Sequence, residues 1–272
     1  MQTRLFSGVD LANTILDGLN PVPGDTLCVL ADPLAPGAMA YVDRISDYAA
    51  RIALRIERLA YPTSDEEHAR LPALLTGPVL LIQPAPDAFD ASRFLDHIGP
   101  DADAEGLHPV HAGHHAKGEV AVIPPTAEAA AIVAAHLAGS LEGAVVSVVG
   151  ASPTVGRPLA MALLTAGATV RVAQVTTKDL VAETCGADIV VAAAGVPGLI
   201  RCDHLRRGAI AIDIGVTRVG NRLVGDIDRA AVDGHVSWLT HVPDGVGPVT
   251  TACLLRNAVN ACRKMNSYSV ST

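Results

Sequence analysis

Ala144-Val145-Val146-Ser147-Val148-Val149-Gly150-Ala151-Ser152-Pro153-Thr154-Val155-Gly156-Arg157-Pro158-Leu159 is the stretch whose reading decides the fold. Its apolar run reads as a buried strand, Ala144–Val149, that stops at a Gly/Pro turn. Apolar residues at helical spacing resume over Leu159–Ala166, and Pro158 suits the first turn of a helix. A glycine at the strand exit lets the backbone approach a diphosphate, and the helix N-terminus adds unpaired N–H groups and partial positive charge. The segment is therefore a variant of the dinucleotide fingerprint, with Ser152 at the third position of the usual glycine pattern. Alone, it does not separate a nucleotide site from a tight strand-to-helix turn. The following chain adds context: strand Thr169–Ala173, helix Lys178–Cys185, strand Ile189–Ala193 and strand Ala209–Asp213. Alternation of this kind implies right-handed crossovers and a doubly wound parallel sheet. Two more glycine-bearing turns, Ala194-Gly195-Val196-Pro197-Gly198 and Asp213-Ile214-Gly215-Val216, leave strands at the carboxyl edge where such sheets bind ligands. The expected cofactor-binding residues are Gly150, Ala151, Ser152, Val155, Gly156, Thr176, Gly195, Gly215 and Val216.

Upstream, a helix over Val9–Leu19 precedes strand Thr26–Leu30, helix Ala38–Ala53 and strand Arg55–Leu59. Helix Glu66–Leu75 follows, capped by Ser64 or Asp65, and then strand Val79–Ile82. Gln83-Pro84-Ala85-Pro86 must leave the sheet. Residues 99–119, rich in Gly, Pro, His and Asp, read as a long surface or active-site loop and a domain junction. A strong helix over Thr126–Leu141 leads into the second half. The expectation is an α/β protein of two domains: a smaller α/β substrate domain over 1–120, with a C-terminal helix over about 250–272 packing back on it, and a Rossmann-like domain over 121–249. The length of 272 residues suits two compact cores, and a chain 50% hydrophobic but only 3% aromatic builds them from aliphatic residues. A net charge of −8 with scattered basic residues gives no nucleic-acid footprint. No apolar run is long enough for a bilayer, and the first thirty residues show no basic start followed by a long apolar run, so secretion is not expected. Five cysteines without a C-x-x-C pair suit reduced thiols and a cytoplasmic compartment.

From Pro124 to Cys262 the chain resembles the methylenetetrahydrofolate dehydrogenase/cyclohydrolase family. Val148-Val149-Gly150-Ala151-Ser152, Val155-Gly156-Arg157-Pro158, Ala187-Asp188-Ile189-Val190, Asp213-Ile214-Gly215, Val224-Gly225-Asp226 and Gly245-Val246-Gly247-Pro248 occur in family order. In the first half, Tyr41-Val42, Pro84-Ala85-Pro86 and Asp103-Ala104-Glu105-Gly106-Leu107-His108-Pro109 are similar to family landmarks. The resemblance implies hydride transfer from methylenetetrahydrofolate to NADP or NAD, with the substrate in a cleft between the domains, and a homodimer. It implies that Tyr41 borders the pterin, that Asp103 and Glu105 in the 103–106 loop meet the pterin edge, and that Gly245, Val246, Gly247, Pro248 and Thr250 supply loop backbone to the ligands. Tyr41, Gln83 and Glu105 are the candidate catalytic residues, and no metal is expected at the histidines of the 108–115 segment.

Departures from the family are as informative. The family lysine one helical turn after the tyrosine is replaced by Ile45, and its glutamine aligns with Ile82, with Gln83 one place later. The usual aspartate of the pterin loop is Glu105. Hydride transfer with weakened methenyl hydrolysis is the leading expectation. A member redirected to another imine or aminal, and a folate or nucleotide binding protein without turnover, are the alternatives. Taken without the resemblance, Tyr41 is a helix-face aromatic, Gln83 a strand-end polar residue and Glu105 a solvated loop charge.

Overall fold

The structure, a computed structural model, describes residues 2–269 except Pro84 and Asn221, so Pro84 of the sheet-exit segment and the last three residues of the helix read at 250–272 lie outside the described residues. Among these residues the first half runs β1 (Arg4–Phe6), α1 (Val9–Asp17), β2 (Thr26–Ala31), α2 (Pro36–Arg51), β3 (Arg55–Ala60), α3 (Asp65–Leu74), β4 (Val79–Leu81), α4 (Ala91–Ile98) and α5 (Pro109–Ala116). It continues with α6 (Pro125–Ala138), β5 (Val145–Val149), α7 (Gly156–Thr165), β6 (Thr169–Ala173), α8 (Leu180–Thr184), β7 (Ile189–Ala192) and β8 (Ile210–Asp213). Then come β9 (Thr217–Val219), β10 (Arg222–Val224), α9 (Arg229–Val232), β11 (Trp238–Thr240) and α10 (Gly247–Ser269).

The chain divides into two compact units. One takes the residues up to Ala12 together with Thr126–Thr250; the other takes Asn13–Pro125 and the chain from Thr251 onward. The first twelve residues are thus grouped with the first unit, whereas the sequence reading placed them in the 1–120 span.

The first unit holds a parallel sheet in the order β1-β11-β8-β7-β5-β6. Its central strand β7, Ile-Val-Val-Ala, is buried at every position, as a strand covered on both faces must be. The chain leaves β5 for β6 on one side and returns to β7 on the other, so the order reverses beside β5. That reversal is the switch point at which α/β sheets open a crevice. The expected parallel α/β fold is therefore present, and β1 and β11 extend it beyond the strands read from sequence. A separate antiparallel ribbon pairs β9 with β10.

The second unit is built on a smaller parallel sheet, β3-β2-β4. Its middle strand is buried throughout, and α2 presents Val42, Ile45 and Ala49 to the core at helical spacing. Ser64 caps α3, its hydroxyl accepting the Glu67 N–H at 3.2 Å. From α10, the Asn257 amide donates to the carbonyls of Ala104 (3.2 Å) and Ile123 (3.3 Å), tying that helix to this unit.

Two loop expectations are corrected. The 99–119 segment contains α5, whose inner face carries the buried His111 and His115. The Gly/Pro segment near 245 enters a helix at Gly247 rather than at about residue 250, with Pro248 in its first turn.

Candidate functional site

In the first unit the turn after β5 is shaped by its own backbone. Gly150 takes φ +117°, and a Cβ there would overlap the Ala193 carbonyl, so the turns after β5 and β7 touch through a glycine. The Ser152 hydroxyl accepts the N–H groups of Val155 (3.1 Å) and Gly156 (3.4 Å), while its carbonyl accepts from Arg157 (3.1 Å). The opening of α7 is thus mediated by Ser152 rather than left bare. With both hydroxyl lone pairs engaged, its O–H remains to donate to a phosphate oxygen. Arg157 donates its Nε to the Ala151 carbonyl at 3.0 Å, which holds the guanidinium beside the same turn. These groups fit a dinucleotide diphosphate.

Three valines stand exposed on the turns that follow β6, β7 and β8: Val175, Val196 and Val216. Exposed aliphatic groups at the carboxyl edge of one sheet can flank the flat rings of a ligand. After β6, Gln174 and Thr177 close a turn on each other, Gln174 N–H to the Thr177 hydroxyl at 2.9 Å, and Thr176 is exposed at its tip. Gly195 and Gly215 donate their N–H groups inward, to Asp226 (2.8 Å) and Asp213 (3.1 Å) respectively. Burial raises Asp213 to about 6; the N–H bonds it accepts from Ile227 and Asp226 work against that rise, and the charge of Asp226 adds to it. Sequence reasoning assigned no role to Asp213 or Asp226. The available signal was an acid beside a glycine at a strand exit, in Asp213-Ile214-Gly215 and Gly225-Asp226. Gly245, Val246, Gly247, Pro248 and Thr250 also belong to this unit, and the Thr250 N–H bonds the Val246 carbonyl at 2.9 Å as α10 begins.

In the second unit the strand end of β4 and the 103–108 loop meet around two carboxyl groups. Asp103 is buried and organises the loop: its Oδ1 accepts from the N–H groups of Glu105 (2.9 Å) and Gly106 (3.1 Å), and its Oδ2 from His108 (2.7 Å). With both oxygens committed to backbone, Asp103 is placed to hold the loop. Glu105 accepts the Leu81 N–H at 2.8 Å. Burial raises its carboxyl to about 8, opposed by that bond and helped by the charge of Asp103. Glu105 therefore carries a proton at neutral pH and can donate. The Tyr41 hydroxyl is held well above the ordinary phenol range, first by burial and then by the Glu105 charge, with Arg44 opposing. These two candidates are thus electrostatic neighbours. Tyr61, which sequence reasoning missed, donates to the Ile82 carbonyl at 2.9 Å and also feels Glu105.

Gln83 is placed differently. It is exposed, and its side-chain oxygen accepts the Ala85 N–H at 3.2 Å in a local turn. Ile45 and Ile82 are both buried, at 0% and 3% exposure. Among the histidines, His108 Nδ1 accepts from Val110 at 3.2 Å and His111 Nε2 meets the Pro100 carbonyl at 2.8 Å, contacts local to their own segment.

Residues 124–266 match a sequence model of the tetrahydrofolate dehydrogenase/cyclohydrolase NAD(P)-binding domain. Over 202 residues the chain is 41% identical to the bifunctional protein FolD of Zymomonas mobilis, covering 70% of this chain and 68% of that protein. Over 237 residues it is 38% identical to the bifunctional protein FolD of Nocardia farcinica, covering 84% of each. The crystal structure of the bifunctional enzyme FolD, methylenetetrahydrofolate dehydrogenase/cyclohydrolase, from Campylobacter jejuni superposes with a TM-score of 0.87 at 30% identity, over 97% of this chain and 99% of that one.

Proposed function

The chain belongs to the tetrahydrofolate dehydrogenase/cyclohydrolase family, and on that premise we propose that it oxidises methylenetetrahydrofolate to methenyltetrahydrofolate with NAD(P) while hydrolysing the product poorly. The observation that carries the oxidation is the cradle at Gly150–Gly156, where a strand-exit glycine and the Ser152 hydroxyl fit a diphosphate at the switch point of a parallel sheet. Bound there, the nicotinamide supplies the hydride acceptor. The chain's own residues bind and orient. The Ser152 hydroxyl holds the diphosphate, glycine at 150 and 156 lets the backbone come close to it, and Gly195, Gly215 and Val216 lie along the same edge. Tyr41 offers a flat ring for the pterin, and protonated Glu105 presents an O–H to an acceptor on the pterin edge while the Leu81 N–H fixes its other oxygen.

Hydrolysis needs a positioned proton-transfer group to activate water, a contribution of about 10²–10⁴-fold. At the position of the family lysine, fully buried Ile45 supplies neither a proton nor charge, and Ile82 supplies none at that of the glutamine. Reduced-nicotinamide absorbance with methylenetetrahydrofolate as donor tests the oxidation; its absence overturns the reading. Decay of methenyl absorbance, with and without enzyme, tests the second half. Acceleration matching hydride turnover would overturn it.

Among the described residues no helix is long and apolar enough to cross a membrane, and a cytoplasmic site is proposed with the folate substrate. A homodimer is proposed on family resemblance, to be checked by sedimentation.

A further inference from the structure

We propose that Asp213 and Asp226 are positioning residues that lock the turns after β7 and β8 into the shape that receives the nicotinamide half of the dinucleotide. The inference rests on the NAD(P) reading above and adds residues to it. Asp213, at the end of β8, accepts N–H groups from Gly215 (3.1 Å) and Asp226 (2.9 Å) on one oxygen and from Ile227 (2.9 Å) on the other. Asp226 is fully buried, and its Oδ2 accepts the N–H groups of Ala194 (2.6 Å) and Gly195 (2.8 Å) in the turn after β7. The two acids are therefore in series: one fixes the backbone of the other, and the second fixes the neighbouring turn. The packing is reciprocal. A Cβ on Gly215 would overlap the Asp226 carboxyl, and a Cβ on Gly225 would overlap that of Asp213.

This arrangement sets what the β7 turn can bind. Its N–H groups at Ala194 and Gly195 point inward to Asp226, so neither of the two is free to donate to a phosphate. The trans peptide between them turns the Ala194 carbonyl away from Asp226, and Ala194 is exposed. The turn therefore presents an acceptor, suited to the hydroxyl groups of a ribose. Sheet order says which ribose. The adenosine half lies over the second strand, β6, where 2′-phosphate discrimination occurs, so a dinucleotide crossing at β5 lays its nicotinamide half over β7 and β8.

The test separates the two halves of the ligand by calorimetric titration of NADP, NAD and ADP into the full chain. In Asp226→Ala the freed turn must be ordered by the ligand, and dinucleotide affinity falls by about tenfold or more, while ADP affinity stays within about twofold. Asp226→Asn keeps an acceptor for both N–H groups and alters only the oxygen that has no hydrogen-bond partner among the described residues. It recovers dinucleotide affinity to within about threefold of wild type. Asp226→Ala binding all ligands as wild type does, losing ADP and dinucleotide by the same factor, or showing no recovery with asparagine overturns the inference. A wild-type chain that binds the dinucleotide but does not oxidise methylenetetrahydrofolate sinks the proposed function and leaves this inference standing; one that binds no dinucleotide sinks both.

Discussion

Glu105→Gln is expected to make the protein more stable at pH 8. Glutamine keeps an oxygen for the Leu81 N–H, which Glu105 accepts at 2.8 Å, and places an NH₂ where the protonated carboxyl has its O–H. Burial raises Glu105 from 4.5 to about 8. An acid raised in the folded state contributes stability that is fully present below the unfolded value near 4.5 and is lost as pH rises through 8. The full shift corresponds to about 4–5 kcal/mol, and the partial exposure of the residue reduces this to about 3 kcal/mol. Glutamine does not ionise, so the variant's advantage grows between pH 5 and 8 and then levels. Asp213, raised to about 6, has the same sign, but it is present in both proteins and cancels in the difference. Urea denaturation of wild type and variant at pH 5, 6.5, 8 and 9 gives the difference directly. A difference that stays flat across that range, or a wild type that is the more stable at pH 8, would refute the reasoning.

Ala53 follows α2 with φ +59°, a left-handed conformation that strains a residue bearing a Cβ, so Ala53→Gly is expected to stabilise by about 0.5–1 kcal/mol in the same denaturation assay. Tyr41→Ala is expected to weaken reduced-folate binding by about 0.5–1.5 kcal/mol beyond lost area, read by calorimetry; unchanged affinity would move the pterin elsewhere. NAD and NADP are expected to differ by less than about a hundredfold in kcat/KM, because the turn after β6 is closed by Gln174 and Thr177 and carries neither an acid for a ribose hydroxyl nor a base for a 2′-phosphate.

How much of this was legible depends on the kind of signal each residue carries. Thr26–Ala31 and Val145–Val149 are continuous β-branched and aliphatic runs between turn residues, and they read directly as buried parallel strands. Arg4–Phe6 and Trp238–Thr240 are three-residue strands, too short for any period, and they exist because they pair with each other across most of the chain. The helix α5 was hidden because His111 and His115, not aliphatic residues, fill its inner face one turn apart. At the candidate site, Tyr41 and Glu105 are proposed from their place in family-like segments, and the charge of Glu105, once ionised, acts on the Tyr41 hydroxyl. The acids Asp213 and Asp226 escaped because their partners are backbone N–H groups, which leave no trace in side-chain spacing.

The buried isoleucines make a last prediction more demanding than a simple gain of function. Ile45 is fully enclosed on α2, and Ile82 is nearly so at the end of β4. Introducing Ile45→Lys places an ammonium in apolar surroundings, which costs several kcal/mol unless a partner receives it. Arg44 next to it has the wrong sign. Glu105, whose charge reaches Tyr41 one helical turn away, has the right sign, but near neutral pH it holds its proton. A lysine close enough to pair with Glu105 would draw that proton off and lower its titration point. The single substitution is therefore expected to destabilise the protein by about 2–4 kcal/mol and to accelerate methenyl hydrolysis little. Ile45→Lys combined with Ile82→Gln restores both family residues, an ammonium and an amide oxygen able to receive it. It is expected to recover part of the stability and to raise hydrolysis by at least about tenfold over the single variant. Equal stability and equal hydrolysis in the single and double variants would mean that positions 45 and 82 do not act together, and the loss of hydrolysis would have to be sought elsewhere than in this apolar pair.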